Sequence, residues 1–295
     1  MKIFLTGGTG FVGSAVVADL VGAGYEVVGL ARSDEAALAL IAAGARPTTG
    51  ELLDLDGLRR EASAADAVIH TAFDHNFSKM AENCLIDRRA IGAMGDGMAG
   101  SGKLMIVTAG LPLTPGRVAT EIDLPPTDGG GMPRLSEQAA MALLDRGVRA
   151  MTIRMSQVHD QSRQGFASYL LAHAREKGMS AYVGEGRNRW PAVHRLDAAR
   201  LYRLALETGE SGKRYHAVSE EGVSTRAIAE TIGRMLGVPM KSLSIPDASA
   251  HFGWLDRIVQ MDMPASSALT QQVLRWRERQ NVGFLEDVAT AAPCP

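Results

Sequence analysis

Residues 6–13 read TGGTGFVG and place Gly7, Gly10 and Gly13 three positions apart. The stretch follows the apolar run KIFL and precedes apolar residues at helical spacing, so it joins a predicted strand to a predicted helix. There Gly7 permits a tight turn, Gly10 lets a pyrophosphate approach the backbone, and Gly13 lets helix and strand pack closely. Free N–H groups at a helix N-terminus bind phosphate oxygens. The pattern predicts a dinucleotide site rather than an unliganded turn, and this site also includes Thr9, Phe11 and Val12.

The remainder of the chain repeats the same strand-to-helix alternation. Continuous apolar runs such as YEVVGLAR, DAVIHTAF, KLMIVTAG and VRAMTIRM are separated by helical patterns. Strands that are apolar throughout are typical of a parallel sheet covered on both faces. We expect an α/β fold, a doubly wound parallel sheet with a smaller C-terminal α+β substrate lobe. Residues 1–157 form the dinucleotide-binding domain, to which 190–212 return, and 158–189 with 213–295 form the lobe.

Composition narrows the class of protein. The chain has 295 residues, 46% of them hydrophobic and 22% charged, as in a globular enzyme with a sizeable core. A net charge of −2 provides no broad basic field for nucleic acid or an anionic membrane. We expect no signal peptide, membrane span or metal site, and the two cysteines suit a reducing cytoplasm. A small-molecule substrate is the expected partner, and a homodimer is left open.

The end of the second predicted strand indicates which dinucleotide the chain prefers. Arg32 and Ser33 follow this strand, where a carboxylate would hydrogen-bond a ribose hydroxyl and repel a 2′-phosphate. An arginine there favours the phosphate, so NADP(H) is preferred and NAD(H) is the alternative. Arg32 could instead be simply solvated. After the third strand, Asp54 with Leu55 could contact the adenine, although Asp54 could equally be the N-cap of the next helix.

Several motifs in order resemble the extended branch of the short-chain dehydrogenase/reductase superfamily, the epimerase/dehydratase-like group. TGGTGFVG matches its glycine pattern, and DAVIHTAF is similar to the strand beneath the nicotinamide ribose. GVRAMTIRMSQVHD resembles its sixth strand and substrate loop, VHRLDAARLYRLALE its His-x-x-Asp-x-Ala helix entry, and SSALTQQVLRW its C-terminal element. The resemblance implies a Rossmann domain that binds a nicotinamide cofactor and a cleft in which carbonyls and alcohols are interconverted.

The resemblance also implies particular site residues. The family uses a Tyr with a Lys four positions later, and a Ser or Thr at the end of the fifth strand. Thr108 occupies this last position, while Thr71, Ala72 and Phe73 fall beside the cofactor. The Tyr donates the proton, and the Lys cation lowers the phenol pKa.

This sequence departs from the family at the Tyr and Lys. Alignment of the helix before GVRAMTIR places Pro133 at the Tyr position and Glu137 at the Lys position. Pro cannot donate a proton, and a Glu raises the pKa of a neighbouring acid. No tyrosine in the chain precedes a lysine at this spacing, because the fourth residues after Tyr25, Tyr169, Tyr182, Tyr202 and Tyr215 are Gly29, His173, Gly186, Leu206 and Ser219. We therefore interpret the chain as an atypical member without the usual catalytic pair.

Other groups in the predicted cleft could supply the proton. His159 lies in the substrate loop after the sixth strand, and His75 follows the fourth strand, although either imidazole could be purely structural. Ser136 could line the pocket or begin a helix, and residues 129–131, three glycines, could form a lid. We expect substrate contacts from Asp74, Arg134, Ser156, Gln157, Asn188 and Trp190, whereas Asp197 is interpreted as a helix cap.

Together these features predict an NADP(H)-dependent reductase or dehydrogenase that acts on a small to medium carbonyl or alcohol. Thr108 orients the carbonyl oxygen, and His159 or an ordered water supplies the proton. Loss of the Tyr and Lys leaves two alternatives open. One is a non-catalytic redox sensor that binds NADP(H), and the other is a redox-neutral enzyme of the epimerase or dehydratase type.

Overall fold

A computed structural model describes residues 1–125 and 135–291. The strands in chain order are β1 (Lys2–Thr6), β2 (Glu26–Ala31), β3 (Arg46–Thr49), β4 (Ala67–His70), β5 (Leu104–Gly110), β6 (Arg149–Met155), β7 (Gln157–Asp160), β8 (Arg163–Gln164), β9 (Ser180–Val183), β10 (Arg189–His194), β11 (Arg214–Ala217), β12 (Glu220–Ser224) and β13 (Met240–Leu243). The α-helices are α1 (Phe11–Gly22), α2 (Asp34–Ala42), α3 (Leu55–Ala64), α4 (Met80–Met98), α5 (Ser136–Met141), α6 (Ala167–Lys177), α7 (Arg195–Thr208), α8 (Thr225–Leu236), α9 (Ile245–Phe252), α10 (Asp256–Val259), α11 (Ala268–Leu274) and α12 (Phe284–Ala289).

Seven strands form the main sheet in the order β11-β6-β5-β4-β1-β2-β3, and every pair is parallel. Side chains alternate between the two faces, so Ile3 and Leu5 pack beneath α1, α2 and α7, while Phe4 packs beneath α3, α4 and α5. Both faces of the central strands are buried, which explains their continuous apolar sequences. The predicted doubly wound α/β fold is confirmed.

The C-terminal lobe has its own core. A four-stranded sheet in the order β12-β10-β7-β8 and a two-stranded sheet of β13 and β9 pack with α6, α8, α9, α10 and α12. Trp190, Phe252 and Phe284 are fully or almost fully enclosed in this core. The lobe is thus a packed unit on the carboxyl side of β6.

Two strands lie on the opposite side of the expected boundary. β11, expected in the lobe, pairs with β6 in the main sheet, and β10, expected to return to that sheet, pairs with β7 and β12 in the lobe. The helix between them, α7, packs on α1 as expected. Because a parallel strand is reached through a crossover helix, the strand after α7, and not the strand before it, extends the main sheet.

Candidate active site

The glycine turn has the geometry of a phosphate cradle. Gly7 has φ +77°, and a Cβ on it would lie 2.6 Å from the Ala72 nitrogen. A Cβ on Gly13 would lie 2.0 Å from the Gly7 carbonyl oxygen, whereas Gly10 would meet only that oxygen, at 3.2 Å. Gly7 and Gly13 therefore allow close backbone packing, and Gly10 leaves open space at the turn.

The N-terminus of α1 lacks a side-chain partner for its first N–H groups. Gly10 is the N-cap and has no side chain, and the first turn of α1 contains no acidic residue. The N-terminal end of a helix carries a partial positive charge and unpaired donors, which an anion satisfies. The turn and this helix end together fit the pyrophosphate of a dinucleotide.

Two arginines from the C-terminal lobe and α7 lie beside this helix end, a feature that sequence patterns did not reveal. The guanidinium carbons of Arg195 and Arg163 lie 4.9 and 5.5 Å from the centre of the Phe11 ring. Arg195 also donates to the Ser14 hydroxyl at 2.6 Å and to Asp160 at 3.0 Å. Cationic groups thus reach the glycine turn from outside the βαβ unit.

The predicted adenosine side of the site is more open. Arg32 is exposed, and within residues 1–125 and 135–291 no hydrogen bond or ion pair engages its guanidinium. Ser33 caps α2 by accepting from the Ala36 N–H, and Asp54 caps α3 by accepting from the Gly57 N–H at 2.9 Å. The capping interpretation of Asp54 is confirmed. A contact of Asp54 or Leu55 with adenine stays a prediction.

The segment after β4 lies against the glycine turn. Thr71 donates to the Thr6 carbonyl at 2.8 Å, and Ala72 forms the wall that a Cβ on Gly7 would strike. Further along, the Asp74 carboxylate accepts from the Asn76 N–H, and the exposed His75 ring packs edge-on against Phe73 at 5.2 Å. The structure thus places these residues at the carboxyl edge of the sheet, where ligands bind in such folds.

Thr108, near the end of β5, belongs to a pair of hydroxyl groups. Its hydroxyl donates to the His70 carbonyl at 2.8 Å and lies 2.6 Å from the hydroxyl of Tyr202 on α7. Thr108 is 9% exposed, whereas Tyr202 is fully buried. The sequence offers no sign of this contact, because the residue four positions after Tyr202 is Leu206 and not a lysine.

A second buried polar chain crosses the other face of the sheet. The Thr6 hydroxyl lies 2.7 Å from Nδ1 of His70, and Nε2 of His70 lies 3.0 Å from Asp87. The other oxygen of Asp87 accepts from the Ser136 hydroxyl at 2.6 Å. All four residues are buried, so this chain fixes α4 and the start of α5 against β1 and β4.

Glu137 is committed to a buried ion pair. Both of its carboxylate oxygens accept from Arg154 at 2.7 Å, and Arg214 adds a third bond of 2.7 Å. Burial alone would raise the pKa of Glu137, but the hydrogen bonds and charges of Arg154 and Arg214 hold it below its ordinary value. The residue at the aligned Lys position thus neutralises the buried Arg154 and the partly exposed Arg214. The predicted roles of Pro133, Arg134 and the glycines at 129–131 lie outside the described residues.

His159 is enclosed in the C-terminal lobe. Its Nδ1 lies 2.6 Å from the buried Asp287, and its ring packs edge-on against His194 and Phe284. Its Nε2 is buried 4.0 Å from Glu220 and has no hydrogen bond to any described residue. Across the described parts of the chain, no hydrogen bond or ring contact joins His159 to Thr108. Its role as proton donor stays a prediction that the described contacts do not favour.

The expected substrate contacts in the lobe have internal partners. Ser156 donates to the Ala217 carbonyl, Gln157 accepts from the Phe166 N–H, and the Asn188 amide donates to two carbonyls near α10. Their roles toward substrate stay predictions. The expectation that Trp190 walls the pocket is wrong, because its side chain is fully enclosed and packs in the lobe core.

Metal sites and membrane-spanning helices are two other features that bear on function. Among the described residues, no group of three or more His, Cys, Asp or Glu side chains could hold a metal ion. In the same residues no helix combines the length and apolarity needed to cross a membrane. The glycine turn and the end of β5 therefore remain the centre of the candidate site.

Comparison with known proteins agrees with this architecture. The model of the NAD dependent epimerase/dehydratase family matches residues 3–92. An uncharacterized protein of Saccharomyces cerevisiae is 44% identical over 292 residues, which cover 98% of each chain. A 4-hydroxy-2-methyl-3-oxo-4-farnesyl-3,4-dihydroquinoline-1-oxide ketoreductase of Stigmatella aurantiaca is 26% identical and covers 90% of this chain and 84% of its own.

Solved structures share the fold at low sequence identity. The crystal structure of a dTDP-glucose 4,6-dehydratase from Streptomyces venezuelae, with NAD bound, has a TM-score of 0.77 and 19% identity. The alignment covers 98% of this chain and 95% of that chain. At this identity the similarity establishes the Rossmann-like architecture alone.

Proposed function

The chain belongs to the NAD dependent epimerase/dehydratase family, and on this premise we propose that it is an NADP(H)-dependent oxidoreductase of small to medium carbonyls or alcohols. Support for the cofactor comes from the cradle of Gly7, Gly10 and Gly13 and from the exposed Arg32. Arg32 suits the 2′-phosphate that distinguishes NADP(H) from NAD(H). The ketoreductase relative supports the reaction class.

The observation that carries the proposal is the hydroxyl of Thr108 near the carboxyl end of β5. In the sheet β4 lies between β5 and β1, the strand that leads into the glycine turn. When bound, NADPH supplies a hydride, which converts a carbonyl carbon to an alkoxide that must then gain one proton. By turning from the His70 carbonyl, the Thr108 hydroxyl can donate a hydrogen bond to the oxygen on which negative charge develops. This exchange replaces one hydrogen bond with another and favours the alkoxide.

Tyr202 holds Thr108 and does not itself provide the proton. Its side chain is fully buried, so the transfer of its proton would leave a phenolate out of contact with bulk water. Burial disfavours the charged form of a phenol and therefore opposes this transfer. We assign the proton to a water in the cleft, which agrees with the absence of a described contact between His159 and Thr108.

One test of the function measures the binding of NADPH and the oxidation of NADPH separately. The affinity for NADPH is measured by fluorescence titration, and the oxidation of NADPH is followed at its absorbance during incubation with a panel of ketones and aldehydes. Stoichiometric conversion of NADPH and carbonyl to NADP+ and alcohol supports the proposal if Thr108→Ala loses this conversion and still binds NADPH. NADPH binding without oxidation across the panel contradicts it.

A non-catalytic NADP(H) sensor is the second candidate. The observation that favours it is the commitment of Glu137, at the aligned Lys position, to Arg154 and Arg214. A sensor would bind NADPH and leave every carbonyl unchanged. Conversion of a substrate with no net loss of NADPH would instead identify the redox-neutral alternative.

A further inference from the structure

We propose that four aromatic side chains form one wall of the substrate site and select planar aromatic carbonyl compounds. The inference rests on the proposed function and specifies its substrate class. We refer to the group as the aromatic arch, which consists of Phe77, Phe166, Tyr169 and Trp254.

Three residues of the aromatic arch lie on segments that follow the two strands beside β5. In the main sheet β5 lies between β4 and β6. The chain that leaves β4 carries Phe77 in the short 3-10 helix Phe77–Lys79, and the chain that leaves β6 reaches Phe166 and Tyr169 at the start of α6. The Phe77 ring lies 6.0 Å from Phe166 and 6.3 Å from Tyr169. The two segments thus follow the strands on either side of β5, which carries Thr108, and bring their rings together.

The rings of the aromatic arch are arranged for stacking. Phe77 and Trp254 are stacked, with centroids 4.5 Å apart and an interplanar angle of 25°. The Tyr169 ring stands edge-on to Trp254 at 5.2 Å and 85°. Stacked and edge-on pairs are the preferred geometries of aromatic rings, and a planar ligand ring extends them at little cost in conformational entropy.

The exposed fractions distinguish a binding wall from a simple closure between the two lobes. Trp254 is 48% exposed and Tyr169 is 41% exposed, although both rings pack against neighbours. A contact that only held the lobes together would enclose these large apolar surfaces. Both residues instead keep accessible surface that a ligand can cover.

The aromatic arch is anchored from both sides. The amide of Asn83 donates to the carbonyls of Asp74 and Asn76, at 3.1 and 3.3 Å, which fixes the segment before Phe77. In the lobe, the Phe166 ring packs edge-on against the buried Trp190 at 6.1 Å. Because the rings are held before a ligand binds, little ordering cost opposes binding.

The inference predicts which of two ketones the protein binds more tightly. Acetophenone and cyclohexyl methyl ketone carry the same acetyl group on a planar and a saturated six-membered ring. Burial of apolar area alone favours the larger cyclohexyl group or treats the two alike. Stacking on the aromatic arch favours acetophenone, and we expect its dissociation constant from the NADP+-loaded protein, measured by calorimetry, to be about fivefold lower.

Substitutions in the aromatic arch test whether the preference for acetophenone depends on these side chains. Trp254→Leu and Tyr169→Leu should each remove most of it, while Trp254→Phe should keep it. Ile245→Ala removes another exposed apolar side chain of the lobe outside the arch and should change nothing. Since Trp190 and Trp276 are buried, acrylamide quenching reports Trp254, and acetophenone should protect it. Thermal unfolding of each variant confirms that it is folded.

The possible outcomes separate this inference from the proposed function. Equal or tighter binding of cyclohexyl methyl ketone, or a preference for acetophenone that survives both leucine variants, would overturn the aromatic wall even if NADPH is oxidised. A preference for acetophenone that the leucine variants abolish would support the wall. If NADPH is then not oxidised with any carbonyl, the proposed function fails and the binding site stands.

Discussion

The hydroxyl oxygens of Tyr202 and Thr108 lie 2.6 Å apart and join α7 to β5. The Thr108 hydrogen is directed to the His70 carbonyl, so Tyr202 is the donor in this pair. The bond therefore fixes the direction of the Thr108 lone pairs and hydrogen at the carboxyl edge of the sheet. Tyr202 is a positioning residue, since its side chain is fully buried and its hydroxyl acts on the cleft through Thr108.

Tyr202→Phe should lower kcat roughly tenfold and alter KM much less, because the contact acts on the orientation of a group that stabilises developing charge. The loss of one buried hydrogen bond should cost about 1 kcal/mol of unfolding free energy. Thr108→Ala should be more severe and Thr108→Ser should recover activity. An unchanged kcat and pH profile in Tyr202→Phe would contradict the positioning role. NADPH affinity, measured by titration, should be the same in all three variants.

The glycine turn could be predicted from sequence because it is local and depends on backbone space. Gly7 and Gly13 occupy positions where any Cβ would overlap neighbouring atoms, so the spacing itself carries the information. The contact between Thr108 and Tyr202 joins residues 94 positions apart. On α7 Tyr202 follows the same apolar periodicity as Leu201 and Ala205, and no local pattern distinguishes it.

Burial explains the other differences between sequence and structure. The sequence predicts Trp190 in a pocket because aromatic residues are common there, but its position inside the lobe depends on long-range packing. The sequence shows Glu137 only as the residue at the aligned Lys position, because its partners Arg154 and Arg214 lie on other elements, 17 and 77 positions away. The sequence predicts the order of β10, α7 and β11, but the partner of each strand depends on the crossover connection and not on composition.

Arg32→Ala should weaken NADPH binding roughly tenfold or more and leave NADH binding within about twofold, because only NADPH carries the 2′-phosphate. Dissociation constants for both cofactors, from fluorescence titration, measure the effect. Arg46→Ala provides a matched control, since Arg46 is an exposed arginine at the start of β3. Equal losses for NADPH and NADH would contradict the role of Arg32.

Arg195→Ala should weaken NADPH and NADH alike, by roughly tenfold, because Arg195 lies at the end of α1 that fits the pyrophosphate common to both. Adenosine 2′-monophosphate carries neither phosphate of the pyrophosphate, so its affinity should not change. Arg203→Ala is the control, since Arg203 also links α7 to α1, through Asp19, but at a distance from the glycine turn. If both arginine variants weaken the cofactors equally, helix packing explains the effect.

Glu137→Gln should destabilise the fold by about 3 to 5 kcal/mol, because it leaves the fully buried Arg154 without its carboxylate. The unfolding free energy from urea titration measures this loss. Asp262→Asn breaks the exposed pair with Arg189 and should cost at most about 1 kcal/mol. A similar small cost in both variants would indicate that Arg154 finds other partners.

His216 should make stability depend on pH between about 6.5 and about 4. The residue is fully buried, and desolvation, opposed in part by Glu121 and Glu137 and aided by Arg154, lowers its pKa from 6.5 to about 4. Its Nδ1 donates to the Ser266 carbonyl, which leaves Nε2 to accept from Arg154 and favours the neutral ring.

Below pH 6.5 the unfolded chain binds a proton at His216 that the folded chain does not, so stability falls as the pH is lowered toward about 4. His216→Asn keeps a polar side chain and removes this titration. We expect the difference in unfolding free energy between the native protein and His216→Asn to shrink steadily between pH 7 and pH 4. Urea unfolding at intervals across this range measures it, and the difference isolates His216 from the carboxylates that titrate in both proteins. A difference that stays constant over the range would show that His216 binds its proton equally in the folded and unfolded states.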